Sequence, residues 1–118
     1  MTVKIITLGC KVNQYESQAM LEALLDAGFT QAAPDEAAGV VVVNSCTAQS
    51  DHKVRQALRR AKKDNPGAVT VLTGCMPQAF PDAAAALLEA DIVLGNTKRS
   101  DLVPRLQEFL ATKQRVVD

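Results

Sequence analysis

The sequence has few aromatic residues, no net charge and no long hydrophobic run. Aromatic residues make up 3% of the 118 positions, with one Tyr, three Phe and no Trp. Because 13 basic residues balance 13 acidic ones, charge alone does not predict attraction to nucleic acid. No apolar run approaches the roughly 20 residues of a membrane helix, and the first residues lack the pattern of a signal peptide. These absences predict a cytoplasmic protein that makes no membrane contact.

Several common local motifs are also absent. The three cysteines include no Cys-x-x-Cys pair, which excludes zinc-ribbon and thioredoxin-type sites. No cysteine is followed by the correctly spaced arginine of a phosphatase-like loop. An odd number of cysteines in a reducing compartment argues against a disulfide framework. The chain lacks a GxGxxG or Walker-type loop, which weakens a nucleotide-binding interpretation.

The hydrophobic pattern that is present alternates between strand and helix. It predicts strands over 3–8, 29–32, 40–44, 69–73 and 91–94, and an extended segment over 114–117. It predicts helices over 13–27, 50–64, 81–90 and 100–112, the first capped by Asn13 with Glu16. Four consecutive valines over 40–43 predict a strand covered on both faces. The pattern therefore predicts one domain over 1–118, an α/β fold with a doubly wound open parallel sheet and helices on both faces.

The cysteines favour one strand order for this sheet. Cys10, Cys46 and Cys75 each follow an apolar run by one or two residues, which predicts that all three lie at the carboxyl ends of strands. In the flavodoxin/Rossmann-like order 2-1-3-4-5, the three strands that the cysteines follow are neighbours. The alternative order 3-2-1-4-5 spaces these strands less evenly across the sheet. Three thiols at one edge suit an iron–sulfur cluster, or zinc with a fourth ligand from elsewhere. His52 is a candidate for that ligand, and the alternative is a solvated residue in the first turn of a helix. The alternative for the cysteines is that they are buried core residues.

The helix predicted over 50–64 carries a basic face. Arg55, Arg59 and Lys62 share one side of it by their three- and four-residue spacing. This face can contact RNA phosphates. A solvated helix surface is the alternative, because no aromatic residue is interleaved with the basic ones.

Four motifs resemble one known family. T-L-G-C-K-V-N-Q-Y-E-S at 7–17, V-N-S-C-T at 43–47, G-C-M-P-Q at 74–78 and G-N-T-K at 95–98 resemble the N-terminal domain of radical-SAM methylthiotransferases. The resemblance covers essentially the whole chain. Within that family, G-C-K-V-N-Q is most similar to the branch that acts on threonylcarbamoyladenosine beside the tRNA anticodon.

The resemblance implies a ligand set and a parent enzyme. Cys10, Cys46 and Cys75 match the family's ligands to an auxiliary 4Fe–4S cluster, which leaves one iron open. The parent enzyme adds a methylthio group to C2 of the adenosine, using S-adenosylmethionine, a second 4Fe–4S cluster and a sulfur donor that the resemblance does not specify. Asn13 and Asn44 lie near the same edge, where they can orient substrate or cluster, or act as a helix cap and a strand-end turn residue.

The family's radical-SAM domain and its RNA-binding C-terminal domain have no counterpart in these 118 residues. We therefore expect this chain to be inactive alone and to work with those domains of the parent protein on tRNA. Two other functions stay open from the sequence: a flavodoxin-like nucleotide- or flavin-binding module, and an interaction domain whose cysteines are structural.

Overall fold

The computed structural model describes residues 2–7, 11–33, 36–45, 51–65, 67–74, 90–94, 102–112 and 116–117. Its strands are β1 (Thr2–Thr7), β2 (Thr30–Gln31), β3 (Val40–Ser45), β4 (Val69–Gly74), β5 (Ile92–Val93) and β6 (Val116–Val117). Its helices are α1 (Lys11–Asp26), α2 (Asp51–Asp64) and α3 (Leu102–Thr112). The helix predicted over 81–90 falls almost entirely outside the described residues. None of the described helices is long and apolar enough to cross a membrane.

The described strands form one parallel sheet. Their order is β2-β1-β3-β4-β5-β6, and every neighbouring pair is parallel. The predicted order 2-1-3-4-5 is therefore confirmed, and the segment predicted as extended contributes a short sixth strand at one edge. The chain order reverses between β1 and β3. In sheets of this kind, the crevice at such a reversal lies outside the carboxyl ends of the strands.

The valine strand explains why helices cover both faces of the sheet. Val40 to Val43 are all fully buried, as four consecutive apolar side chains require. Val40 and Val42 pack in a core with residues of α1 and α3. Val43 packs with Val54 and Leu58 of α2, and Val41 packs with Ala61 of the same helix. Helices α1 and α3 therefore lie on one face and α2 on the other.

The two ends of α1 differ in how well local sequence predicts them. The helix begins at Lys11, so the predicted cap Asn13 lies inside the first turn and its assignment as the capping residue is wrong. At the other end, the Gly28 N–H donates to the Leu25 carbonyl at 3.1 Å and the Phe29 N–H donates to the Leu24 carbonyl at 3.1 Å. With φ of 100° at Gly28, this is a Schellman ending. The predicted stop at Gly28 is confirmed.

Helix α3 tolerates its proline because of where the helix starts. Leu102 is the first residue of the helix, so Pro104 lies in the first turn, where no backbone donor is lost from the helix interior. Leu102 and Leu106 are buried in the core that α3 shares with α1. The predicted helix over 100–112 is thus confirmed over Leu102–Thr112, and positions 100 and 101 lie outside the described residues.

Candidate functional site

The carboxyl ends of three neighbouring strands define the candidate site. Thr7, Asn44 and Thr73 are register partners across β1, β3 and β4, and Ser45 pairs with Gly74 one residue further on. Adjacent strands in a sheet are roughly 4.8 Å apart. The last described residues of these three strands therefore lie side by side at one edge.

All three predicted metal ligands fall outside the described residues. In the sequence, Cys46 follows Ser45 directly, Cys75 follows Gly74 directly, and Cys10 is three residues beyond Thr7. Within the described ranges, no group of three His, Cys, Asp or Glu side chains is placed to hold a metal ion. A metal centre with three such ligands therefore needs residues outside those ranges, and the cysteine assignment stays a prediction.

A buried polar network lies just inside this edge. The Asn44 Nδ2 donates to Ser17 Oγ at 3.0 Å, and Ser17 Oγ lies 2.7 Å from Thr7 Oγ1. Asn44 is fully buried, and Ser17 of α1 is 8% exposed. A single hydroxyl therefore ties α1 to both β1 and β3 at the point where these strands end.

No role was predicted for Ser17 or Thr7, although both belong to the motif over 7–17. Ser17 lies three residues before Met20 and seven before Leu24, both buried, so it occupies the apolar face of α1. A serine on that face must find a hydrogen-bond partner when it is buried. That conflict between residue type and position was the available signal.

Of the two asparagines predicted near this edge, the structure describes the side chain of one. Asn44 is buried at the carboxyl end of β3, with its amide held by Ser17. Asn13 lies in the first turn of α1, and its side chain falls outside the described part of the chain. A role for either one in orienting substrate or cluster stays a prediction.

The basic residues of α2 are distributed along the helix rather than gathered at this edge. Helix α2 follows the carboxyl end of β3 and precedes the amino end of β4, so it runs from one edge of the sheet to the other. At about 1.5 Å per residue, Lys62 lies roughly 10 Å along the axis from Arg55. Lys62 Nζ lies 3.2 Å from Asp91 Oδ2, at the amino end of the sheet. Arg55 is half-buried and Arg59 is exposed.

A cleft lies beside the polar network, between α1 and β1. Its volume is about 210 Å³. It is lined by Ile5, Thr7, Gln14, Ser17, Gln18, Leu21 and Gln31. Strand β2 pairs with β1 only at Thr2 and Val3, so the cleft occupies the side of β1 beyond the end of β2. Among the described residues that line it, the polar groups are hydroxyls and amides.

Known proteins similar to this chain are tRNA-modifying enzymes. Over 119 residues the chain is 37% identical to the threonylcarbamoyladenosine tRNA methylthiotransferase MtaB of Aquifex aeolicus, covering 99% of this chain and 29% of that protein. It is 42% identical over 118 residues to the enzyme of the same name from Thermotoga maritima, covering 98% of this chain and 27% of that protein. It is 34% identical over 119 residues to the tRNA-2-methylthio-N(6)-dimethylallyladenosine synthase of Moorella thermoacetica, covering 93% of this chain and 27% of that protein.

These relatives confirm the resemblance to methylthiotransferases that the cysteine motifs indicated. The chain spans less than a third of the length of each of the three relatives. A family model described as uncharacterized protein family UPF0004 matches residues 2–95, and the chain belongs to that family.

Proposed function

We propose that this chain is the auxiliary-cluster domain of a tRNA methylthiotransferase. In this proposal Cys10, Cys46 and Cys75 bind a 4Fe–4S cluster through three thiolates and leave one iron without a protein ligand. The parent enzyme transfers a methylthio group to C2 of an adenosine beside the anticodon. The chain alone does not catalyse this reaction, because the radical-SAM domain and the C-terminal RNA-binding domain are other parts of the parent protein.

The observation that carries the proposal is the register of three strand ends. Ser45 and Gly74 are paired neighbours, and each is followed in sequence by a cysteine. Thr7 lies on the next strand, opposite Asn44, and Cys10 is three residues further along the chain. This arrangement supports one shared site for three thiols because their strands leave the sheet at the same edge. The fold thus makes convergence possible for cysteines that are 29 or more residues apart in sequence.

The chemistry of the donor set fits the proposed group. Thiolates are the usual protein ligands of 4Fe–4S clusters, and a cluster with three of them keeps one iron available. When bound, such a cluster would supply an open iron at which sulfur can be held. The described residues would position it: the Ser17 hydroxyl fixes α1 against β1 and β3 and so fixes the points from which Cys10 and Cys46 depart.

The proposed substrate is threonylcarbamoyladenosine in tRNA. The motif G-C-K-V-N-Q over 9–14 supports this branch. Two of the relatives described above carry that substrate in their names, at 37% and 42% identity, against 34% for the dimethylallyladenosine synthase. The substrate, S-adenosylmethionine and the second cluster concern the whole parent protein.

The test is anaerobic reconstitution of the chain with iron and sulfide. We expect about four irons per chain and broad visible absorption. Replacing Cys10, Cys46 or Cys75 singly by Ala should each remove most of the iron. His52→Ala is the matched control, because it changes the chain's one histidine and should leave the iron content unchanged.

Two outcomes would contradict the proposal. If the unsubstituted chain binds no iron, the cysteines are structural or serve another ligand. If one cysteine variant keeps its full iron content, that cysteine is not a ligand and the three-thiolate site is wrong. If the unsubstituted chain instead binds flavin stoichiometrically, the result would support the flavodoxin-like module.

A further inference from the structure

Helix α1 exposes the chain's one tyrosine near the carboxyl edge of the sheet. Tyr15 is 83% exposed, in the second turn of α1. Leu25 is the other large hydrophobic side chain exposed within the described residues, at 41%. It lies ten residues further along the helix, which is roughly 15 Å. The two therefore do not form a continuous apolar patch of the kind that a protein partner covers.

Uncharged hydrogen-bonding groups lie beside Tyr15. Gln14 precedes it and Gln18 follows three residues later, and both line the cleft between α1 and β1. Gln31 lines the same cleft from β2. Each amide offers two N–H donors and one carbonyl acceptor, which matches the mixed donor and acceptor edge of a nucleobase. Gln18 Nε2 approaches Glu22 Oε1 at 3.5 Å, the limit of a hydrogen bond, so it can turn to another acceptor.

Hydrogen bonds hold the hydroxyl groups of the cleft lining in place. Ser17 and Thr7 line it, and their hydroxyls are 2.7 Å apart in the buried network with Asn44. The exposed amides of Gln14 and Gln18 are therefore mounted on a helix that is fixed to the sheet. The volume of about 210 Å³ is sufficient for a small planar group rather than for a helix or a folded domain.

Resting on the proposed function, we infer that Tyr15 and the cleft amides of α1 contact an unpaired nucleobase of the RNA. Tyr15 offers a face on which a base stacks, and Gln14 and Gln18 hydrogen-bond to base edges. Unpaired bases in RNA loops are recognised by this combination of aromatic stacking and edge contacts. Duplex RNA hides both its base faces and most of its edges, so it should not engage this surface.

The basic face of α2 fits this role less well. Of its three residues, Lys62 is paired with Asp91 at the opposite end of the sheet. Helix α2 contains no Phe, Tyr or Trp on which a base could stack. Helix α2 can add attraction to phosphates, whereas α1 carries the groups that contact a base.

The single tyrosine provides a direct test. Incorporating 3-fluorotyrosine gives one ¹⁹F resonance, which reports on Tyr15 alone. The probes are an RNA hairpin with unpaired adenosines in its loop and a fully paired duplex of the same stem. We expect the hairpin to shift the resonance and the duplex to leave it in place.

Variants then measure the contribution of each group to hairpin affinity. Tyr15→Ala should weaken binding about tenfold, as loss of one stacked base predicts, while Tyr15→Phe should retain the affinity. The double change Gln14→Ala with Gln18→Ala should weaken binding, and Leu25→Ala is the matched control on the same helix.

Three results would overturn the inference: a resonance that does not move at millimolar hairpin, equal shifts with the duplex, or unchanged affinity of Tyr15→Ala. The first would assign this surface to another partner. Iron content separates this failure from failure of the proposed function. The Tyr15→Ala chain should bind as much iron as its parent, since Tyr15 is not a predicted ligand. A chain that binds iron but not the hairpin would disprove only the nucleobase contact.

Discussion

The two ends of the sheet use buried polar side chains in different ways. At the amino end, the buried Asn65 amide and the half-buried Asp91 carboxylate each accept a hydrogen bond from a backbone N–H of a neighbouring element. At the carboxyl end, Ser17 links the side chains of Thr7 and Asn44, and β1, β3 and β4 are each followed in sequence by one of the three cysteines. The contacts at the amino end stabilise the packing of the chain's own elements. The carboxyl end is the edge at which the chain can present ligands.

Both polar atoms of the Asn65 side chain hydrogen-bond to backbone groups of this chain. It is 3% exposed, its Oδ1 accepts the Ala38 N–H at 2.7 Å, and its Nδ2 donates to the Ala61 carbonyl at 2.9 Å. It thereby ends α2 and joins that end to the segment before β3. Because both ends of the amide bond to this chain's own backbone, Asn65 stabilises the fold and has little capacity left for a ligand.

Asp91 has a similar role between β4 and β5. Its Oδ2 accepts the Thr70 N–H at 3.0 Å and lies 3.2 Å from Lys62 Nζ, while its own N–H donates to the Thr70 carbonyl at 2.9 Å. This difference indicates that stability and proposed function are separable in this domain. Changes at the amino end should lower stability without affecting iron, and changes at the carboxyl end should affect both.

The largest effect on stability is expected for Asn65→Ala. It leaves the Ala38 N–H and the Ala61 carbonyl without the amide, in a buried place where water does not readily replace it. We expect a loss of about 2–3 kcal/mol in the free energy of unfolding, measured by denaturant titration. Iron content after reconstitution should equal that of the parent. A large loss of iron under conditions where the variant is folded would show that the two ends are not separable.

Ser17→Ala should have a smaller effect on stability and a larger one on the metal. The Asn44 Nδ2 and the Thr7 hydroxyl both lose their contact with Ser17 Oγ, which costs about 1–2 kcal/mol. Since that hydroxyl fixes α1 to β1 and β3, the iron should leave faster when a chelator is added. The informative comparison is with Asn65→Ala. If the less stable Asn65 variant loses iron faster than the Ser17 variant, overall stability controls retention and the local argument is wrong.

Gly67→Ala tests backbone strain alone at the amino end of the sheet. Gly67 has φ of 80°, and an added Cβ would meet no atom within 4 Å. The expected cost is therefore only that of placing an L side chain in the left-handed region, about 1 kcal/mol. Thermal or denaturant unfolding measures it, and Gly67→Asn should cost less because Asn tolerates this conformation better. Equal losses for the two variants would indicate that something other than φ decides the effect.

The sequence predicted the sheet well because the relevant signals are local. The valine run over 40–43 can be satisfied only by a strand with both faces covered, and the strand order followed from placing the cysteine-bearing strands side by side. The start of α1 was missed by two residues because Asn13 has the side chain of a good cap, and local preference alone did not decide it.

The polar contacts at both ends were beyond local pattern. Asn44 and Ser17 are 27 residues apart, as are Asn65 and Ala38, so each pair forms only after the sheet and helices have packed. A buried Asn side chain requires hydrogen-bond partners, but the sequence does not identify which residues supply them. The cleft depends on the early end of β2, which is two residues long where the pattern predicted four.

The smallest effect is expected for Lys62→Met, which removes a charge from the amino end of the sheet. The Lys62 and Asp91 side chains are 40% and 27% exposed, so solvent screens their attraction, and pairs of this kind are worth about 0.2–1 kcal/mol. Methionine keeps the apolar stem, and Asp91 keeps its bond from the Thr70 N–H. We therefore expect unfolding to become easier by no more than about 0.5 kcal/mol, with the difference shrinking as salt is added. Hairpin affinity should be unchanged, because Lys62 lies at the end of the sheet opposite Tyr15. A loss of affinity matching that of Tyr15→Ala would instead place the RNA on the basic face of α2.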